Sequence, residues 1–351
     1  MGVTIKKGEK IYYMNKSLVP ILGKPFIDKL FITLDIPENL QQQVKDKFLE
    51  IFDNGSGKEF SHKSSYEFNL TISDNFPDYE GAASIHCCPK NTNSKSGDEA
   101  KKTTEDKIKK NFFRLVCNPA RVDLDNMKTI LDQILPEGYL GLLHKGKVNR
   151  LDLSVDVANM KVAEVIASYP KFQVAYTYGK GINSQAKYIG AAKSNKQICL
   201  YDKVVQMSEM VKKFPGAIPP DPKTPLTRIE MRLKKTNKTL LEIIAMPNPL
   251  KKLSLNAFLG SHSPKNSDPL WTLFLSACQD HGLKYAVAHF SKKDAASIKK
   301  RFENEGKSDW WKSAMLWKEL QVAIKELFKV VGNAPKLTDL PHVSGDSHAF
   351  K

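Results

Sequence analysis

No apolar run in this chain of 351 residues approaches the roughly 18 residues needed to cross a bilayer. The longest, such as Phe31 to Leu34 or Leu240 to Met246, fall far short, which excludes a helical membrane span. The N-terminal stretch Met1 to Lys10 lacks an apolar centre and a small-residue cleavage site, so it does not read as a secretory leader, and a cytoplasmic protein is expected. Cysteine is scarce as well. The five residues Cys87, Cys88, Cys117, Cys199 and Cys278 form no C-x-x-C pair, and an odd number in such a chain is poor material for disulfides, so reduced thiols are expected. Adjacent side chains of an extended segment point to opposite faces, which argues against His86, Cys87 and Cys88 sharing one metal. No two of the eight histidines stand in an H-x-H pair, so a histidine-ligated metal is not expected.

Acidic residues are the other shortage. Lys and Arg number 54 against 38 Asp and Glu, a formal net charge of +16 with a pI near 9.4. Such an excess points to a polyanionic partner, nucleic acid first among them, over a basic but merely solvated surface. The distribution sharpens this. Between Ala191 and Gly260 there are 13 basic and 5 acidic residues, which puts half of the excess in a fifth of the chain.

The pattern along the chain predicts an α+β fold: a mainly antiparallel sheet with helices on one face, followed by a smaller helical module. Phe26 to Asp35 reads as a strand, and Pro37-Glu38-Asn39 opens a helix with Leu40, Val44, Phe48, Leu49 and Phe52 at helical spacing. Further strands are expected at 65–73, 111–117, 148–156, 172–178, 186–191, 197–203 and 226–234, with helices at 123–135 and 239–246. Lys90 to Lys110 and the proline-rich Pro215 to Pro222 read as loops. Helical periodicity returns at 271–277, 295–302 and 310–328. The expected division is an extension over 1–25, a main domain over 26–255, a helical module over 268–332 and a disordered tail over 333–351.

Three segments carry the chemistry. In Arg150-Leu151-Asp152-Leu153-Ser154-Val155-Asp156, period-two alternation puts Asp152, Ser154 and Asp156 on one strand face and the apolar residues on the other. Lys187 to Lys203 reads as a hairpin with basic groups at its turn and strand ends. In Thr227 to Lys234, Arg228, Glu230, Arg232 and Lys234 share a face by the same rule. Carboxylates of this kind suit hard cations such as Mg²⁺ or Mn²⁺, and arginines around them suit phosphates. The plain alternative is a sheet face on which acids and bases only pair with one another.

The succession R-L-D-L-S-V-D, then Y-I-G-x-x-x-S-x-x-x-x-x-L-Y-D-K, then T-R-I-E-M-R-L resembles the replication initiation factors of rolling-circle plasmids of the staphylococcal type and of filamentous phages. The resemblance covers roughly Phe26 to Met246. It implies binding of a replication origin and divalent-metal-dependent nicking of one strand by a tyrosine, leaving a 5′-phosphotyrosyl link and a free 3′-hydroxyl. On this basis Asp152, Asp156 and Glu230 are the expected ligands of Mg or Mn. Arg150, Lys193, Lys196, Lys203, Arg228, Arg232, Lys234 and Lys235 are the expected DNA contacts. The implied partners are origin DNA, duplex with a locally single-stranded nick site, and a host helicase. A homodimer is compatible with the resemblance, and no membrane is involved.

One departure stands out. A nucleophilic tyrosine is expected shortly after Glu230, yet Met231 to Gly260 contains none. Tyr201 and Tyr188, inside the hairpin segment, are the alternative nucleophiles, and Tyr285 ranks below them. A relative that binds its origin without nicking, as a replication or copy-number regulator, is the competing function. RNA binding through exposed strand aromatics such as Tyr176, Tyr178 and Tyr188 is a third.

Overall fold

The computed structural model describes residues 20–51, 66–72, 83–89, 112–169, 175–178, 186–213, 224–258, 268–306 and 308–330. The loops expected at 90–110 and 215–222 and the tail at 333–351 lie outside the described residues, as do most of the N-terminal extension and the side chains of Tyr176 and Tyr178.

The first half is built from β1 (Ile21–Leu22), β2 (Phe26–Leu34), α1 (Glu38–Ile51), β3 (Tyr66–Ile72), β4 (Ala83–Pro89) and β5 (Phe113–Cys117). It continues through α2 (Leu124–Ile134) and α3 (Gly138–Lys145) into the long β6 (Lys147–Ala158). Then come β7 (Val165–Ser168), β8 (Ala175–Tyr178), β9 (Ala186–Ile189), β10 (Lys196–Asp202), α4 (Lys203–Lys213) and β11 (Leu226–Lys238). The remainder is α5 (Leu240–Ile244), β12 (Ser254–Ala257), α6 (Pro269–His281), α7 (Leu283–Ala288), α8 (Lys292–Glu305) and α9 (Ser313–Leu327).

Ten strands form one sheet in the order β3-β4-β5-β2-β6-β11-β10-β9-β8, with β1 paired to the end of β6. All of these pairings are antiparallel, as the sequence predicts. Its two faces differ sharply. Ile27, Leu30, Ile32, Leu151, Leu153, Val155, Ile229, Met231, Leu233, Ile198 and Leu200 project to one side and join Val44, Phe48, Leu131, Leu142, Leu240 and Ile243 from the helices in a single core. The burial of these side chains, about 1.5–3 kcal/mol each, fixes the register, because a one-residue slip would turn every charge of the opposite face into that core.

α6, α7 and α8 close a second, smaller core of Trp271, Phe274, Leu275, Cys278, Val287 and Phe302 with Phe258 and Ile166. α9, grouped with these helices by sequence, packs instead into the main core through Leu316, Trp317, Leu320 and Ile324. Tyr139 of α3, fully buried, donates to the Leu327 carbonyl at 3.0 Å and ties the end of α9 to the sheet domain.

Sequence periodicity missed α3 and α4. α3, Gly-Tyr-Leu-Gly-Leu-Leu-His-Lys, is apolar on most sides and carries two glycines, so it has no clear polar stripe. The expectation for Cys87 and Cys88 is also revised. Cys88 adopts a left-handed φ of 58°, which breaks the alternation and brings its Sγ to 3.6 Å from that of Cys87, both buried.

Candidate active site and nucleic-acid face

The polar face centres on β6, β11 and β10, whose register is continuous across the expected residues. Arg232 lies opposite Asp152, Glu230 opposite Ser154 and Arg228 opposite Asp156; on the other side of β11, Tyr201 faces Arg228 and Cys199 faces Glu230. Charged groups at this position must be paired to be tolerated, since Asp152 is 1% and Glu230 3% exposed. Each has its own arginine. Arg150 chelates Asp152, with Nε 2.8 Å from Oδ1 and Nη2 2.5 Å from Oδ2. Arg232 Nε is 2.5 Å from Glu230 Oε1. Arg228 holds Asp156 through Nε at 2.6 Å and Nη2 at 2.9 Å, and reaches Asp28 Oδ1 at 3.3 Å with Nη1.

Asp28 comes to this face through a bulge. Ile27 pairs with Leu153 and Lys29 with Asp152, so β2 has one extra residue there, and Asp28 and Lys29 both leave the core side. Asn118 Nδ2, at 3.4 Å, holds the Asp28 carboxylate from the end of β5. Period-two reading cannot foresee a bulge, which is why Asp28, the second carboxylate on Arg228, escaped it.

Of the three expected tyrosines, Tyr201 is the one bonded to a carboxylate of this face. Its hydroxyl donates to Glu230 Oε2 at 3.3 Å. Burial first, and then the negative charge of Glu230, raise its pKa well above the usual phenol value, with Arg228 opposing. Tyr188 sits on β9 opposite Cys199, with the Arg232 guanidinium 5.9 Å from its ring centroid. Tyr285 lies exposed on α7, its ring 4.7 Å from those of both His281 and His289.

The remaining basic residues form the rim. Lys203, at the start of α4, donates to Gln206 at 2.7 Å, and burial followed by repulsion from Arg228 lowers its pKa to about 8. Lys234 contacts Gln197 Oε1 at 3.2 Å and the Ala192 carbonyl at 2.7 Å, bridging to the β9–β10 turn. Lys193 is exposed on that turn, and Lys196 lies 5.4 Å from the ring centroid of Tyr169 and donates to its hydroxyl at 3.1 Å. Lys235 is exposed with a left-handed φ of 51° beside an irregularity in β11.

The expected three-carboxylate cation site is not gathered. Among the described residues no group of three His, Cys, Asp or Glu side chains is set to hold a metal ion, and Asp156 is engaged by Arg228 apart from the other two. Asp152 and Glu230 remain a pair, diagonal to one another on adjacent strands. Between them Ser154 Oγ is buried and has no hydrogen-bond partner. The pKa of Asp152 is raised, by burial above all and then by Glu230, against the pull of Arg150. Two carboxylates beside an unsatisfied hydroxyl are hard oxygen donors, a set that suits a hydrated Mg²⁺ or Mn²⁺ completed by substrate phosphate.

No protein-family model matches this chain, and no curated protein does. Among solved structures it is similar to a rolling circle replication initiator protein from Geobacillus stearothermophilus, with 15% sequence identity and a TM-score of 0.37 over 74% of this chain and 97% of that one. No helix among the described residues is long and apolar enough to cross a membrane.

Proposed function

We propose that this chain initiates rolling-circle DNA replication, binding an origin through its basic sheet face and nicking one strand with Tyr201. The hydrogen bond from the Tyr201 hydroxyl to Glu230, inside a set of phosphate-sized arginines, carries this reading. The order of the three sequence motifs supports it independently.

In the proposed reaction the Tyr201 oxygen bonds to the scissile phosphorus and the P–O3′ bond breaks. The phenolic proton passes to Glu230 Oε2, its nearest acceptor, and the departing 3′ oxygen takes a proton from water. The products are a 5′-phosphotyrosyl link and a 3′-hydroxyl. Arg150 and Arg232 turn from their carboxylates to the DNA phosphates, which frees Asp152 and Glu230 for a divalent cation. When bound, Mg²⁺ or Mn²⁺ supplies Lewis-acid stabilisation of charge on the phosphate. Arg228 stays with Asp156 and Asp28 and fixes the floor on which Tyr201 rests.

Supercoiled DNA carrying the protein's own replicon origin, incubated with and without Mg²⁺ or Mn²⁺, tests the proposal. Open-circle product with protein attached is expected with metal, and Tyr201→Phe should abolish the attachment while origin binding persists. If the wild type binds the origin but never becomes attached, the non-nicking regulator takes its place.

A further inference from the structure

Phe31 lies half-buried on the polar face of β2, opposite Arg150 of β6 and Val116 of β5. Three cations surround its ring: Arg114 at 4.9 Å, Arg150 at 5.5 Å and Lys29 at 5.9 Å from the centroid. Arg150 is neutralised by Asp152. Among the described residues no carboxylate pairs with Arg114 or Lys29 in an ion pair. An apolar ring in a strand usually turns to the core, and this one instead stands beside two cations that have no ion-pair partner among the described residues. A flat aromatic ligand carrying negative charge matches that combination; a protein partner's acidic side chain would leave the ring unused.

We infer that Phe31, with Lys29 and Arg114, forms a stacking site for one unpaired base of single-stranded DNA, the two cations holding its flanking phosphates. The inference rests on the proposed nicking function, because a strand to be cut must first leave its duplex. Arg150 and Asp156 are six residues apart on β6, so the platform lies about 20 Å along the strands from the row of Asp156, Arg228 and Tyr201. A strand threaded between the two passes over Arg150 and Arg232. Stacking on an aromatic ring with cations for the backbone is the usual chemistry of single-strand binding, and it tolerates any base because every base has a π-face.

The test uses the full chain in its Tyr201→Phe form, so that binding is read without cleavage. An oligothymidylate is one probe and a duplex of unrelated sequence the other. Phe31→Leu should weaken oligothymidylate binding about tenfold and leave duplex binding within about twofold, and Phe31→Trp should restore it. The emission of Trp at position 31, taken as the difference from the parent protein, should be quenched by the oligonucleotide. Unquenched emission overturns the inference even if the Leu variant folds poorly, as does equal loss of single-strand and duplex binding. The nicking proposal stands or falls separately, on the covalent adduct.

Discussion

The Tyr201 hydroxyl lies 3.3 Å from Glu230 Oε2, on the strand next to it in the sheet, although the two residues are 29 positions apart in sequence. A phenol held protonated by burial needs a base at hand to become a nucleophile, and the same carboxylate is half of the candidate cation pair. Glu230→Gln keeps the shape and removes both roles, so nicking should fall by about 10²- to 10⁴-fold while duplex binding remains. Asp152→Asn should shift the Mn²⁺ concentration needed for half-maximal nicking upward. Tyr188→Phe should leave adduct formation intact. Full nicking by Glu230→Gln in the presence of a chelator would remove the cation from the scheme.

Arg228 is the hub of the buried charges, joined to Asp156 and Asp28 and stacked 4.8 Å from the Phe26 ring centroid. Arg228→Met leaves two carboxylates facing each other without their cation. Its destabilisation should be about 2–3 kcal/mol, seen as a lower denaturant midpoint at unchanged slope. Arg228→Lys should recover only part, since a single ammonium cannot make the bidentate contact.

Lys193, Lys196 and Lys235 stand on the rim without ion-pair partners among the described residues. Each phosphate that such a residue neutralises releases counterions. Replacing all three by Ala should reduce the slope of log affinity against log salt by about 2 to 3 on duplex DNA. Titration of binding between low and moderate salt gives the answer, and an unchanged slope would place the DNA on another surface.

His86 provides a pH signature. Burial first, and then the charge of Arg114, push its pKa down to about 4 from an ordinary value of 6.5. A base whose folded pKa is depressed contributes stability that is complete above 6.5 and lost as pH falls toward 4. The loss should be on the order of 3 kcal/mol. The difference in denaturation midpoint between wild type and His86→Gln, followed from pH 7 to pH 4, should shrink over that window and stay flat above it.

Much of the site is legible in the sequence because β6 and β11 alternate cleanly: Asp152 and Asp156, Arg228, Glu230 and Arg232 all fall on the face that period two assigns them. The parts that escape are those set by long-range pairing. Asp28 and Lys29 reach the polar face through a bulge whose position depends on β6, 120 residues away. Alternation with Leu30 and Ile32 puts Phe31 on the polar face, but only the placement of Arg114 and Arg150 on the strands at either side surrounds its ring with cations. Three carboxylates could be counted in sequence, but not that each is held by its own arginine, Asp152 by Arg150, Glu230 by Arg232 and Asp156 by Arg228. That Tyr201, rather than Tyr188, reaches Glu230 likewise depends on the β10–β11 register.

β11 is inserted between β6 and β10, although it follows both in the chain. During synthesis Asp152 and Tyr201 therefore leave the ribosome before their neighbour exists, and the inner edges of β6 and β10 stay open until residues 226–238 arrive. Closing the gap in the sheet and bringing Glu230 to Tyr201 are one event. A nascent or truncated chain that stops short of Leu226 lacks the carboxylate that Tyr201 bonds to, and it exposes two unpaired strand edges that invite aggregation.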